Sequence, residues 1–419
     1  MKISNLNVNT RPSEKHILFL THYFPPEVNA PASRTYEHAS RWVKIGARVT
    51  VITNNPNHPH GKLFEGYRNQ FFQRESVNGI KVIRVKTFLT PNARFIKRIF
   101  NYIFYAIMSI GASLRVKRVD IVIATSPQFF CGVAGAIIGK LKRKPFALEV
   151  RDLWPDAIIN LQVLSNKWLI SILRGVEKWL YFSSQVIITT SDPQRNYIAA
   201  TGYSNKQIFT IPNGVDLELF DVNSTIPNNH ETLNGKFLVT YTGTFGIVQG
   251  LDVLLETSKL MESYKDIHFL LIGDGEERKN IIKKYHELNS KNLTILPLQT
   301  KEKIVGLIGK SEIGIVIRKN LPVSKTMISA KMFEYLAMKK PVIFSTGMAE
   351  DARLAEKFGF GLVIQPEDPY KLKNAILKLY LDENLRKKMG ENGLKAVKQI
   401  YNRKILAEKM LNIIYSITE

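Results

Sequence analysis

Cysteine is almost missing from this chain: it occurs once, at Cys131 in the apolar stretch "CGVAGAIIG". An internal disulfide and a cysteine-cluster metal site are therefore excluded, and a reducing cytosol suits the composition. The lone thiol reads as a packing group, not a nucleophile. Acid is also scarce. Asp and Glu number 36 against 59 Lys and Arg, leaving a net charge of +23 that calls for an anionic partner. Nucleic acid is set aside, because no zinc-finger, helix-turn-helix or aromatic RNA-binding signature accompanies the charge. His58 and His60 in "NPNHPHG" lack the Cys or acidic neighbours of a metal site. The start, "MKISNLNVNTRPSEK", has no apolar core of signal-peptide type before "HILFL", so a cytoplasmic location is expected.

Long apolar runs are lacking too. The nearest is Ala93 to Arg118, whose uncharged centre, Ile99 to Leu114, falls short of the roughly 20 residues a spanning helix needs. Arg94, Lys97, Arg98, Arg115, Lys117 and Arg118 stand at its ends, with no acid between them. Two readings fit: a buried helix with solvated ends, or an interfacial helix resting on a bilayer.

What is present is a regular alternation. "HILFL", a helical pattern through "RTYEHASRWVKIG", then "RVTVIT", "DIVIATS", "PFALEV", "QVIITTS" and "IFTIPNGV" describe βα units and a parallel sheet. A polar, turn-rich stretch follows, and a second series restarts at "FLVTYTG". The expected organisation is an N-terminal tail (1–12), a Rossmann-like domain (13–220), a linker (221–234), a second Rossmann-like domain (235–395), and a basic C-terminal helix (396–419) packing back toward the first. Two such doubly wound sheets place the loops at their strand carboxyl ends on facing surfaces, so the cleft between them is the expected ligand site.

In the second domain, "YTGTFGIVQGLDVLL" sets Gly243, Gly246 and Gly250 between a strand and a helix, where small residues let a phosphate approach backbone N–H groups. It is not a GxGxxG dinucleotide fingerprint. Gly273 in "LIGDGEER" marks the next strand end and reads mainly as a turn residue. In "SAKMFEYLAMKKPVIFS", Met332, Phe333, Leu336 and Ala337 share one helical arc, with Glu334 at its margin. The carboxylate either forms an i,i+3 surface pair with Lys331 or accepts two hydroxyls of a ribose.

"IPNGVD", the glycine-rich turn, "IGDGEER" and "KMFEYLAMKKPVI" together resemble, in order and spacing, the family-4 glycosyltransferases of GT-B fold, over nearly the whole chain. With "THYFPPEVNAPASRTYEHASRWVKIG", "ATSPQFF" and "LEVRDLWPD", the resemblance leans toward the bacterial capsule, O-antigen and colanic-acid branch that includes L-fucosamine transferases. It implies an α/β, GT-B architecture and transfer of a sugar from a nucleotide diphosphate, UDP above all, with retained anomeric configuration and no metal cofactor. The acceptor it implies is a polyprenyl-diphosphate-linked sugar at the inner leaflet of the cytoplasmic membrane.

By the same resemblance Glu334 binds the nucleotide ribose, and Ile328, Ser329, Ala330 and Lys331 meet the pyrophosphate at the helix start. Gly243, Thr244, Gly246, Gln249, Gly273, Pro297, Leu298 and Arg318 complete the donor set. Two departures stand out: a second glutamate, eight positions earlier in many members, is Thr326 here, and the pyrophosphate-clamping arginine and lysine fall at Thr244 and Gln249. Backbone N–H groups after Gly243, together with Lys331, are expected to neutralise the leaving group in their place; Arg318, Lys319 and Lys325 either join them or are charges of solvated loops. Toward the acceptor, "LEVRDLWPD" places Glu149, Arg151, Asp152 and Asp156 beyond a strand end. Arg151 and Asp152 either orient reacting groups, acting with Lys331 as the catalytic set, or Arg151 forms a structural ion pair with a nearby acid. His22 and Glu27 in "THYFPPE" are lesser candidates at the cleft mouth. A nucleotide-sugar epimerase and a non-catalytic assembly scaffold are the competing functions.

Overall fold

The computed structural model describes residues 15–58, 60–89, 95–126, 128–160, 164–203, 206–221, 233, 235–322, 324, 328–347 and 349–418. The tail 1–12, nearly all of the 221–234 linker, Arg94, the Arg98 side chain, Lys325 and Thr326 lie outside the described residues.

Strands β1 (His16–Leu20), β2 (Arg48–Asn54), β3 (Phe72–Val77), β4 (Ile80–Val85), β5 (Ile121–Ser126), β6 (Phe146–Val150), β7 (Val186–Thr189) and β8 (Gln207–Thr210) form one sheet, ordered β3-β4-β2-β1-β5-β6-β7-β8. Every pairing is parallel except β3 with β4, a hairpin turned at Asn78 and Gly79. The helices are α1 (Ala30–Lys44), α2 (Phe95–Ser113), α3 (Phe129–Lys142), α4 (Asp156–Asn160), α5 (Lys167–Ser183) and α6 (Asp192–Ile198). β1, β5 and β6 are buried along their whole length, as strands covered by helices on both sides must be. α2, α3 and α5 pack one face of the sheet.

The second sheet, β9 (Phe237–Thr242), β10 (Ile267–Ile272), β11 (Leu293–Leu296), β12 (Ile313–Ile317), β13 (Val342–Ser345) and β14 (Gly361–Ile364), is parallel throughout, in the order β11-β10-β9-β12-β13-β14. Its helices are α7 (Asp252–Leu260), α8 (Arg278–Leu288), α9 (Lys301–Lys310), α10 (Ala330–Ala337), α11 (Glu350–Phe358), α12 (Pro369–Leu381) and α13 (Glu383–Ala396). Two doubly wound Rossmann-like domains of GT-B type are thus present.

The last helix, α14 (Arg403–Ser416), leaves the second domain and covers the other face of the first sheet beside α1. α1 starts where the Asn29 side chain accepts the Ala32 N–H at 2.9 Å, and it buries Ala32, Thr35, Ala39 and Trp42 along one stripe. Against that stripe lie Leu406, Met410, Leu411 and Ile414, and Trp42 Nε1 donates to the Ala407 carbonyl at 2.7 Å. The crossing is stitched by backbone bonds from Val215 N–H to Tyr401 and from Arg403 N–H to Val215, each 3.0 Å. "PNGVD" is therefore pinned to the returning chain.

Both sheets reverse their winding between neighbours, at β1/β5 and at β9/β12. Ligands of open α/β sheets bind in the crevice such a reversal leaves at the carboxyl ends of the strands. Gly243 follows β9 and Arg318 follows β12, so both donor candidates stand at the second crevice.

Candidate active site

At the second crevice, α10 is fastened to β9 by one buried phenol. Tyr335 Oη donates to the Thr240 carbonyl at 3.0 Å and accepts the Thr242 N–H at 2.9 Å. This locks the rotation of α10 and with it the directions of Lys331 and Glu334. The Lys331 ammonium does not pair with Glu334. It lies over the Tyr241 ring, 3.7 Å from its centre, beside the turn at Gly243. A Cβ on Gly243, whose φ of 132° also disfavours any other residue, would stand 2.9 Å from Lys331 Nζ. A cation from α10 therefore reaches the glycine-rich turn. Burial first, and the Arg318 charge second, push the Lys331 ammonium down to about 7. An arriving anion would relieve both.

Glu334 is partly exposed and, among the described residues, its carboxylate makes no hydrogen bond or ion pair. Burial of its surroundings raises its pKa, opposed by Lys301 and Arg403. Those two cations belong to a bridge between the domains: Glu37 of α1 meets Lys301 Nζ at 2.7 Å and Arg403 Nη1 at 2.6 Å. Burial raises the Glu37 carboxyl, but Arg403 and Lys301 together hold it below the usual range. Glu334 thus stands close to where the two halves meet. In the first turn of α10 the Met332 N–H donates to the Ser329 carbonyl at 3.3 Å, the N–H groups of Ala330 and Lys331 precede the first intrahelical acceptor, and Ser329 makes no side-chain cap. Instead the Ser329 N–H donates to Asp351 Oδ2 at 3.3 Å.

Arg318 is held through one nitrogen of its guanidinium. Its guanidinium is buried in an ion pair with the fully buried Asp351, leaving Nε alone without a partner among the described residues. Its charge helps lower the Lys331 ammonium, and Asp351 links it to the Ser329 N–H. Lys319 lies along Gly250 instead: a Cβ there would meet Lys319 Cγ at 2.9 Å. Gln249 folds over its own turn, with its N–H on the Gly246 carbonyl at 3.1 Å. The Thr244 carbonyl accepts Tyr241 Oη at 2.7 Å. Gly273 is structural, since a Cβ would fall 1.8 Å from the Gly243 carbonyl oxygen. Of the remaining donor candidates, Ile328 is half-buried in the core beneath α10, Ala330 opens its first turn, the Pro297 carbonyl accepts Gln299 Nε2 at 3.1 Å, and Leu298 is exposed.

Across the cleft, the ion pair in "LEVRDLWPD" is made by Glu149, not Arg151. Arg34 Nε donates to Glu149 Oε1 at 2.7 Å, both buried, while its other nitrogens reach the Ile211 carbonyl at 2.9 Å and the Pro212 carbonyl at 2.8 Å. Arg151 forms no ion pair among the described residues, and its Nη1 has no hydrogen-bond partner there. Burial pushes the Arg151 guanidinium down to about 10 and the Asp152 carboxyl up. An unmatched guanidinium beside a carboxylate, just beyond β6, can hold an incoming hydroxyl or anion.

Asp156 is occupied elsewhere, bonded to Arg174 at 2.6 Å and to Tyr197. His22 is enclosed by the rings of Tyr23, Tyr102 and Tyr105, and burial pushes it down to about 3, so it stays neutral. Glu27 is buried too, pushed up to about 7, and accepts the N–H groups of Asn57 and His58, each at 3.0 Å. It holds the 55–58 loop in place. Cys131 is buried and pushed up to about 12, which makes it inert. No cluster of three His, Cys, Asp or Glu occurs among the described residues, and none of their helices is long and apolar enough to cross a membrane.

Residues 32–219 match the family model described as Glycosyltransferase Family 4, and residues 222–396 match the one described as Glycosyl transferases group 1. Among curated proteins, the chain is 21% identical over 82% of its length, and 87% of the relative's, to an Escherichia coli protein described as a colanic acid biosynthesis glycosyl transferase, WcaI. It is 22% identical over 67% of its length to the Staphylococcus aureus capsular polysaccharide biosynthesis glycosyltransferase CapM, of which 72% is covered. Among solved structures, sucrose-phosphate synthase from Thermosynechococcus elongatus aligns over 96% of this chain and 99% of that one, with a TM-score of 0.74 and 17% identity. Anabaena HepE in complex with UDP and glucose aligns over 96% of this chain and 100% of that one, with a TM-score of 0.68 and 15% identity. With both halves matched in order across a GT-B fold, the chain is a glycosyltransferase with a family-4 N-terminal domain and a group-1 C-terminal domain.

Proposed function

We propose that this enzyme moves a sugar from a UDP-sugar to a polyprenyl-diphosphate-linked oligosaccharide, with retention at the anomeric carbon, at the inner leaflet of a bacterial cytoplasmic membrane during surface-polysaccharide assembly. The observation that carries the reading is α10. One locked helix presents an unpaired carboxylate suited to two ribose hydroxyls, the Ala330 and Lys331 amides at a helix start suited to phosphate, and a lysine aimed at the Gly243 turn. The polysaccharide role is supported by the descriptions of WcaI and CapM, and UDP by the HepE complex. The sugar itself is proposed to be an N-acetylated deoxyhexosamine such as L-FucNAc.

In this mechanism the bond from the anomeric carbon to the diphosphate oxygen breaks, and its electron pair leaves with UDP. Lys331 and the amides at the start of α10 stabilise the growing negative charge without a metal ion. An acceptor hydroxyl, steered by Arg151 and Asp152, attacks from the same face, and its proton passes to the departing phosphate. A panel of nucleotide sugars with a synthetic polyprenyl diphosphate sugar tests this, read by mass spectrometry for the added residue and by NMR for the new bond. Turnover of a UDP-sugar without acceptor would indicate an epimerase, and no nucleotide binding at all would indicate a scaffold.

A further inference from the structure

The side of the first sheet covered by α2, α3 and α5 takes no part in the site above, yet it carries large apolar side chains in the open. On α5, Trp168 and Phe182 are 74% and 73% exposed, with Ile172 and Trp179 between them on the same stripe. Helix α2 repeats the pattern with Phe100, Ile103 and Ile107. α3 packs between the two, and its last turn exposes Lys140 and Leu141. Of the four tryptophans, Trp42 and Trp154 are buried, so both solvent-facing ones lie on α5.

The charge on these helices is almost all of one sign, although Asp156 of α4 neutralises Arg174 of α5. Residues 95–118 hold five basic residues and no acid, 129–144 hold four and none, and 164–183 hold three with Glu177 alone. Glu177 is buried and accepts the Tyr181 hydroxyl at 3.0 Å, so these segments turn no carboxylate outward. The opposite face differs: α1 and α14 mix their charges, and Arg41 of one is bonded to Glu408 of the other at 2.8 Å.

We propose that the α2–α3–α5 layer, centred on the aromatic stripe of α5, docks this enzyme on an anionic lipid surface. Aromatic and aliphatic side chains with long basic ones beside them are what the boundary between headgroups and acyl chains accepts. A second copy of the chain fits poorly, because a two-fold contact would set each basic rim against itself. The amino-terminal ends of all three helices lie at the strand carboxyl ends, where Arg151 and Asp152 stand, so the lipid surface adjoins the acceptor side of the cleft. The inference deepens the proposed reading and rests on it only for what the lipid delivers.

The full chain is mixed with phosphatidylcholine vesicles with or without phosphatidylglycerol, and the bound fraction is read by sedimentation and by quenching of tryptophan emission with brominated lipid. Wild type is expected to bind the anionic vesicles with blue-shifted, quenched emission. Trp168→Ser with Phe182→Ser, both at exposed positions, should weaken binding about tenfold or more. Lys140→Glu with Lys144→Glu should remove the preference for anionic lipid. UDP-glucose binding, followed by calorimetry on the same preparations, should stay unchanged. Absence of vesicle binding, equal binding to neutral vesicles, undiminished binding by the α5 variant, or a wild-type dimer that this variant turns into monomer would each overturn the proposal. Failure to bind UDP-glucose would instead strike the proposed function and leave the docking face standing.

Discussion

Replacing Lys331 by methionine should abolish a pH dependence that the wild-type enzyme is expected to show. In the free protein, burial and Arg318 push this ammonium down to about 7. A bound diphosphate favours the charged form and raises that value. The group is then protonated in the complex but increasingly neutral in the free enzyme as pH rises through about 7. Binding takes up a proton, and affinity falls with rising pH. If the complex keeps the ammonium charged throughout, the dissociation constant of UDP-glucose rises about tenfold from about pH 6 to pH 8, or about 1.4 kcal/mol. UDP-glucose is the right probe because its diphosphate, substituted at both ends, has no proton to lose in that range. Calorimetry in two buffers of different ionisation enthalpy counts the proton directly. In Lys331→Met the slope should vanish and the loss of affinity should be larger at the acid end. A flat wild-type profile, or an undiminished slope in the variant, would refute the placement of this charge at the diphosphate.

Glu334→Ala should raise the UDP-glucose dissociation constant about 10- to 100-fold, the worth of hydrogen bonds to a charged acceptor, while the thermal midpoint stays put; unchanged calorimetric affinity would count against the ribose role. Glu149→Ala strands the buried Arg34 guanidinium and should lower the free energy of urea unfolding by about 3–5 kcal/mol. Arg151→Ala, which breaks no ion pair among the described residues, should change stability by less than about 1 kcal/mol yet lower kcat about a hundredfold. If Arg151 proves to be the stabilising residue and Glu149 the dispensable one, the assignment is reversed. Gly273→Ala drives a methyl group into the Gly243 carbonyl and should cost more than about 2 kcal/mol together with nucleotide binding, measured by the same two methods.

Strand alternation was legible because buried parallel strands are continuous apolar runs, as at β9, which falls in the "FLVTYTG" that restarts the series. The β3–β4 hairpin was not: "FQRESV" is an edge strand, half-exposed and polar, and carries no such run. Glu334 could be singled out from its place at the margin of an amphipathic helix. Its isolation from Lys331 could not, since the competing attraction is the Tyr241 ring, 90 residues away. Nor does local spacing reveal partners such as Arg34 with Glu149, or Arg318 with Asp351, which only the packing of distant elements brings together. His22 shows the same limit, for the tyrosines that enclose its ring come largely from α2.

α14 follows the second domain in the chain and packs on the first. On a ribosome, the face of the first sheet that Leu406, Met410 and Ile414 cover waits for that cover until the whole second domain has been translated. Deleting α14 would therefore damage the domain translated before the linker, and severing the chain in the linker would yield two fragments of which the earlier one lacks its own lining.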